Sequence, residues 1–329
     1  MTTLRSGLVL LLSACALGGC ATQRATVSGL PSLQGRAEAF ELSDTPFYPQ
    51  SELQCGPAAL ATVLGAAGVE TPPDQLVDEV YTPGLGGSLQ LELIAAARAR
   101  GFLPYLIPPE PDALVAELLA GRPVLVLQNL RLRSLPAWHY AVVIGVDPAT
   151  EQWLLRSGTE RRHKVPAGRF VRSWDLADRW GVVLLEPGQL PARPDRQRYA
   201  EAVVGLEETG RYRPAAAAWG AALELWPEDP VARFGQAMAH HLAGDLDRAR
   251  AGYEALLSTV PDHAAALNNL ASVMAESGCP ATARSLALRA VEAAPAGSEI
   301  ASAAADTLEN LPPDTGDGRG CASAGQDAP

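Results

Sequence analysis

Lysine is almost missing from this chain: Lys164 is the single one among 26 basic residues, and it follows Arg161-Arg162-His163 rather than a glycine-rich loop. A phosphate-cradling loop needs Gly-Lys-Ser/Thr at the start of a helix, so P-loop nucleotide hydrolysis is argued against. Positive charge is short as well. With 37 acidic residues the formal net charge is −11, and no basic stripe offers the footprint of nucleic-acid binding. Histidine is sparse: positions 139, 163, 240, 241 and 263 form no His-x-x-x-His pair, and the cysteines form no Cys-x-x-Cys. That spacing disfavours metal-assisted hydrolysis, and neither a metal nor an organic cofactor is expected. His240-His241 sits on a helical pattern whose adjacent residues point apart, as on a solvated face.

What remains is enough for two cores. The 329 residues are 47% hydrophobic and 19% charged, which suits two domains with extensions rather than a disordered chain. Arg5 precedes an apolar run from Gly7 to Leu17 that ends in Leu17-Gly18-Gly19-Cys20. Such a run is too short to span a bilayer but suits a signal-peptide core. Its ending resembles a bacterial lipoprotein cleavage box, which implies a signal peptide over 1–19 and lipid on Cys20; an ordinary secretory signal is the alternative. Ala21 in place of an aspartate points to the outer membrane, so the expected location is the cell envelope, lipid-anchored on the periplasmic face. Residues 20–40, small and polar, read as a tether.

An oxidising compartment sharpens the cysteine count. Cys15 leaves with the signal, Cys20 carries lipid, and Cys279 and Cys321, both in the C-terminal part, could pair with each other, which leaves Cys55 as the odd thiol. It stands in Gln50-Ser51-Glu52-Leu53-Gln54-Cys55-Gly56-Pro57-Ala58, a loop running into an apolar helix over 58–67, with Pro57 in the first turn. A helix N-terminus favours the thiolate over the thiol. The other possibility is a buried structural cysteine. Downstream, 74–80 reads as a short amphipathic helix, 82–87 as a loop, Ser88 as the N-cap of a helix to Arg100, and 111–121 as a further helix. The period then changes to two over 124–130, 139–146, 152–156 and 181–185, which read as strands. Helices followed by strands suggest an α+β domain with the thiol helix on an antiparallel sheet. His139 opens the second of these strands, where an imidazole at a cleft edge takes the proton of Cys55.

These residues resemble the bacterial papain-like cysteine peptidases of the bacteriocin-processing, double-glycine-leader type. The resemblance spans about 41–188 and rests on the upstream Gln50, Cys55-Gly56-Pro57-Ala58, the Gly86-Gly87-Ser88 loop and the His139-Tyr140 strand opening. It implies Cys55 as nucleophile, His139 as general base, and Gln50 with the Cys55 N–H as the oxyanion hole. The Gln50-to-Cys55 interval is one residue shorter than the family's. The family's orienting acid, followed by proline, is replaced by Ser157-Gly158 at the end of the strand after the histidine. Asp147-Pro148 lies instead in a hairpin turn. Ser157, a backbone carbonyl or another acid is left to orient His139.

Beyond a proline-rich break at 189–195 the chain repeats every 34 residues. Gly210, Gly244 and Gly278 keep that spacing, as do Ala215, Ala249 and Ala283, and Pro227, Pro261 and Pro295. Trp219, Tyr253 and Ala287 occupy one equivalent position. The pattern resembles the tetratricopeptide repeat, here at about 196–229, 230–263 and 264–297, followed by an end helix to 311 capped by Ser298. Residues 312–329 read as a disordered tail. Together these features predict a lipid-anchored cysteine peptidase without cofactor, acting on peptide or protein, with repeats that bind a protein partner. The alternative is a degenerate peptidase-like domain serving as an interaction scaffold.

Overall fold

The computed structural model of the protein describes residues 26–49, 54–311 and 321. Its first part is built on a 7-stranded sheet of β1 (Phe40–Glu41), β2 (Leu103–Leu106), β3 (Val124–Asn129), β4 (Trp138–Asp147), β5 (Gln152–Ser157), β6 (Glu160–Pro166) and β7 (Gly181–Leu185). The order is β2-β7-β3-β4-β5-β6, every pair antiparallel, with β1 on β4. Beyond the start of β3, with Val124 opposite Val143, β1 takes over that side of β4 with Phe40 opposite Val146. Gly145 permits this approach: a Cβ there would lie 2.4 Å from the Phe40 carbonyl oxygen.

The helices are α1 (Cys55–Ala66), α2 (Pro73–Val80), α3 (Gln90–Ala99), α4 (Pro111–Leu119) and α5 (Ala167–Asp175). Side chains alternate across the strands, so the sheet builds two cores. Leu125, Leu127, Tyr140, Val142 and Leu154 pack with Leu60, Leu64, Leu76 and Leu93 of α1–α3. Val124, Val126, Ala141, Val143 and Leu155 face the other way, onto Leu114, Phe170 and Trp174 of α4 and α5. Helix α1 is buried continuously from Gly56 to Leu64, which is why its sequence is apolar on all sides. A ring stack fastens α5: Trp153 to Phe170 at 5.0 Å and Phe170 to Trp174 at 5.9 Å.

Several elements depart from the sequence reading. Strands β2 and β6 were not expected, and both are sheet edges. Proline within β2 and the polar run Glu160-Arg161-Arg162-His163-Lys164 in β6 hide them, because an edge strand needs no regular apolar face. Ser88 does not cap α3. Leu89 holds the N-cap position, its N–H donating to Glu92 at 3.0 Å. Residues 26–40, read as part of a tether, belong to the folded body. Val27 and Leu33 are buried, the N–H groups of Val27 and Ser28 donate to Glu151 at 2.5 and 3.2 Å, and the Ser32 N–H donates to Asp112 at 2.8 Å. The signal segment, Cys20 and Gln50 lie outside the described residues.

The second part is helical throughout: α6 (Arg196–Glu207), α7 (Tyr212–Leu225), α8 (Pro230–Leu242), α9 (Leu246–Thr259), α10 (Ala264–Glu276), α11 (Pro280–Ala293) and α12 (Glu299–Asn310). The periodic residues do what their spacing predicts. Gly210, Gly244 and Gly278 turn the chain within each repeat at φ of +72°, +79° and +79°, a region that favours glycine. Ala215, Ala249 and Ala283 are fully buried at helix crossings, with Trp219, Tyr253 and Ala287 buried beside them. Ser298 caps α12 by accepting from the Ala301 N–H. Cys279 and Cys321 form a disulfide.

The two parts share one core. Leu103, Tyr105 and Leu118 of the first cluster with Tyr199, Val203, Leu206 and Trp219 of the second. The segment read as a linker runs along this seam. Tyr105 Oη donates to the Arg193 carbonyl and accepts from the Asp195 N–H, each at 3.2 Å. Buried Glu117 accepts from Arg122 at 2.6 Å and from the Ala192 N–H at 2.7 Å; burial pushes its carboxyl up, against the pull of Arg122.

Candidate active site

Cys55 is the first residue of α1, half-buried, and the free cysteine among the described residues. The helix start is wedged against the Gly-Gly-Ser loop: a Cβ on Gly56 would fall 2.2 Å from Ser88 Oγ. That loop is held by its own contacts. The Thr82 N–H donates to the Gly87 carbonyl at 2.8 Å, Thr82 Oγ1 donates to Glu92 at 2.6 Å, and Gly86 takes φ +63°. Tyr140 of β4 reaches over to donate to the Ser88 carbonyl at 3.2 Å. Ser88 Oγ itself is buried with no partner among the described residues.

His139 is the second residue of β4, opposite Gln128 of β3. Its Nε2 lies 2.8 Å from Ser157 Oγ. The register explains the meeting: Arg156 pairs with Val142, so one rung on Ser157 stands against Ala141, two residues from His139 on the same face. An imidazole spans such a diagonal. Burial lowers the His139 pKa below its ordinary value, and the nearby His163 lowers it further. His163 Nδ1 is 3.0 Å from Glu160. Tyr140 is shifted up, first by burial and then by Cys55, which packs against the cluster that contains this ring.

The structure thus brings His139 and Ser157 together. Asp147 stays at the hairpin end of β4, accepting from the Thr150 N–H at 3.2 Å. Among the described residues the Cys55 thiol makes no hydrogen bond, to His139 or to any other group. Alternation turns Tyr140 to the α1 face and His139 to the other face, where it lines a cavity with Arg172 and Ser173 of α5.

Several supporting residues were not found from the sequence. Arg156, buried beside Ser157, donates to the carbonyls of Ser43 at 2.9 Å, Thr45 at 3.0 Å and Arg161 at 2.5 Å, pinning the segment that leads to the thiol loop. Buried Gln128 donates to Ser173 Oγ at 2.7 Å, which donates to the Phe170 carbonyl at 2.8 Å, tying β3 to α5 behind the histidine. Asn129 accepts from the N–H groups of Arg131 and Ala137 and shapes the loop between β3 and β4. Gln128-Asn129 ending an otherwise apolar strand was the available signal. On the Ser157 side of His139 a cavity of about 740 Å³ opens between this loop, β6 and α5.

Residues 42–179 match the Peptidase_C39 like family, and residues 201–257 and 243–298 match the tetratricopeptide repeat. Among solved structures, a Bacillus anthracis protein described as C39-like peptidase is 19% identical, over 45% of this chain and 98% of that one, with a TM-score of 0.40. The peptidase domain of Streptococcus ComA, a bifunctional ABC transporter of a quorum-sensing pathway, is 20% identical over 43% of this chain and 98% of its own, TM-score 0.34. The Yersinia enterocolitica type III secretion translocator chaperone SycD is 19% identical over 35% and 81%, TM-score 0.33. No curated protein matches.

Proposed function

We propose that this chain, an α+β C39-like peptidase domain followed by a run of helical tetratricopeptide repeats, is a cysteine peptidase that hydrolyses peptide bonds through Cys55 and His139. The observation that carries the reading is the 2.8 Å contact of His139 Nε2 with Ser157 Oγ. It fixes the ring by one nitrogen and leaves Nδ1 for the thiol, with a free cysteine at the start of the helix packed beside Tyr140.

In this mechanism the Cys55 thiolate attacks the carbonyl carbon and a C–S bond forms as charge moves to the oxygen. The Cys55 N–H and the Gln50 amide receive that charge. Collapse breaks the C–N bond while His139 gives its proton to the departing amine. His139 then takes a proton from water, whose oxygen attacks the thioester; the C–S bond breaks, the acid leaves and the thiolate–imidazolium pair is restored. No metal or organic cofactor takes part. The repeats hold a protein partner or present the substrate. A signal peptide over 1–19 and lipid on Cys20 anchor the chain to the periplasmic face of the outer membrane. Among the described residues no helix is long and apolar enough to cross a membrane.

A second reading is a degenerate peptidase-like domain used as an interaction scaffold. It is favoured by serine at the orienting position and by a Cys55 thiol without a hydrogen bond to the imidazole. Alkylation separates the two. Iodoacetamide should label Cys55 near neutral pH faster than a model thiol and more slowly after His139→Ala, with Cys55→Ala as the blank. Labelling no faster than that of glutathione in the wild type supports the scaffold.

A further inference from the structure

The cavity beside His139 and Ser157 has a charge pattern that the chemistry above does not use. Arg131, Arg169, Arg172 and His163 line it, and no acidic residue is among its described lining. In a chain of net charge −11 this is a local reversal, continued in sequence by Arg161, Arg162 and Lys164 of β6. Some arginines elsewhere hold carboxylates, as Arg100 holds Glu79, Arg122 holds Glu117 and Arg162 holds Glu41. Among the described residues Arg131, Arg169 and Arg172 have no acid within 4.0 Å, and the pairing of His163 with Glu160 leaves its other nitrogen free. The floor is polar, formed by buried Gln128 and Ser173. The rim is apolar: Leu130, Leu132 and Leu135 are each more than half exposed.

We propose that this cavity receives an acidic side chain of the peptide or protein substrate, whose neighbouring apolar residues cover the leucine rim. The term substrate rests on the peptidase reading; the binding site stands on the cavity alone. Guanidinium groups with a polar floor suit a carboxylate, which accepts several charge-assisted hydrogen bonds at once. The apolar rim assigns the carboxylate to a peptide rather than to a small free anion, because only a peptide also covers exposed leucines.

The test uses the full chain carrying Cys55→Ala and two fluorescein-labelled peptides of one apolar sequence, with glutamates in the first and glutamines in the second. Fluorescence anisotropy should show the glutamate peptide binding roughly tenfold tighter at low salt. The preference should vanish or reverse in R169E/R172E, two exposed positions of α5, and fall in R169Q/R172Q. Equal binding of the peptides overturns the proposal. So does a preference that survives in R169E/R172E or disappears only in R213E/R248E, two arginines that line a separate cavity along α7, α8 and α9 of the repeats, and so does free glutarate binding as tightly as the glutamate peptide. Iodoacetamide labelling of wild-type Cys55 is read separately: slow labelling with an intact glutamate preference removes the peptidase reading and keeps the site, and the opposite pair removes the site alone.

Discussion

Replacing Ser157 by alanine should slow the thiol chemistry, and replacing it by aspartate should speed it. The wild-type contact is a neutral hydroxyl against an imidazole at 2.8 Å, partly buried. Such a bond contributes about 0.5–1.5 kcal/mol, so its loss should cost roughly two- to twelvefold in the rate of Cys55 alkylation. A carboxylate would make a charge-assisted bond about twice as strong and would favour the imidazolium that partners the thiolate. Burial and the His163 charge hold His139 down in the wild type; aspartate opposes both, so the pKa of the ring should rise. Arg169 and Arg172 in the adjoining cavity lessen the cost of the added negative charge. The measurements are the iodoacetamide rate at Cys55 between pH 5 and 9 and the His139 pKa by NMR titration. If S157A matches the wild type throughout, or S157D lowers the ring pKa while remaining folded, Ser157 does not orient the histidine.

Gly56→Ala should move α1 away from the loop, since its Cβ would lie 2.2 Å from Ser88 Oγ. A loss of about 1–3 kcal/mol in denaturant unfolding is expected, largely restored by adding Ser88→Gly. Gly145→Ala should expel β1, because the obstructing atoms are the backbone of Phe40 and Glu41, and hydrogen exchange at residues 40 and 41 should quicken. The Cys279–Cys321 bond closes a separation of 42 residues, so Cys321→Ser should destabilise the repeats by about 2–4 kcal/mol in chemical denaturation while leaving Cys55 labelling unchanged. Because the folded His139 pKa lies below 6.5, the unfolded chain binds that proton more readily. This contribution to stability is complete above pH 6.5 and is lost as pH falls below it, so His139→Gln should flatten part of the Tm decline between pH 7 and 5.

The repeats were legible because a solenoid writes its packing as a period: Ala215, Ala249 and Ala283 meet the same crossing each time. The central strands were legible from alternation, while Ser157 was one of several candidates to orient His139, offered by the family resemblance, and the structure puts the two side chains 2.8 Å apart. What was hidden depends on distance in space rather than on order in the chain. Arg156 is an ordinary strand residue until residues 43–45 fold over it, and Gln128 is a strand terminus until α5 brings Ser173 to it. The buried Val27 and Leu33 were lost within a small, polar stretch because two anchors make no periodic signal.

The seam joining Tyr105 and Leu118 to Tyr199 and Leu206 has a consequence for how the gene product can be cut. Severed at residue 195, the amino-terminal piece would carry a raw apolar flank into water, and the remaining helices would lose the floor on which they begin to stack. Neither fragment should persist as a soluble monomer. The first repeat is in this way founded on the sheet itself, through side chains that both parts bury.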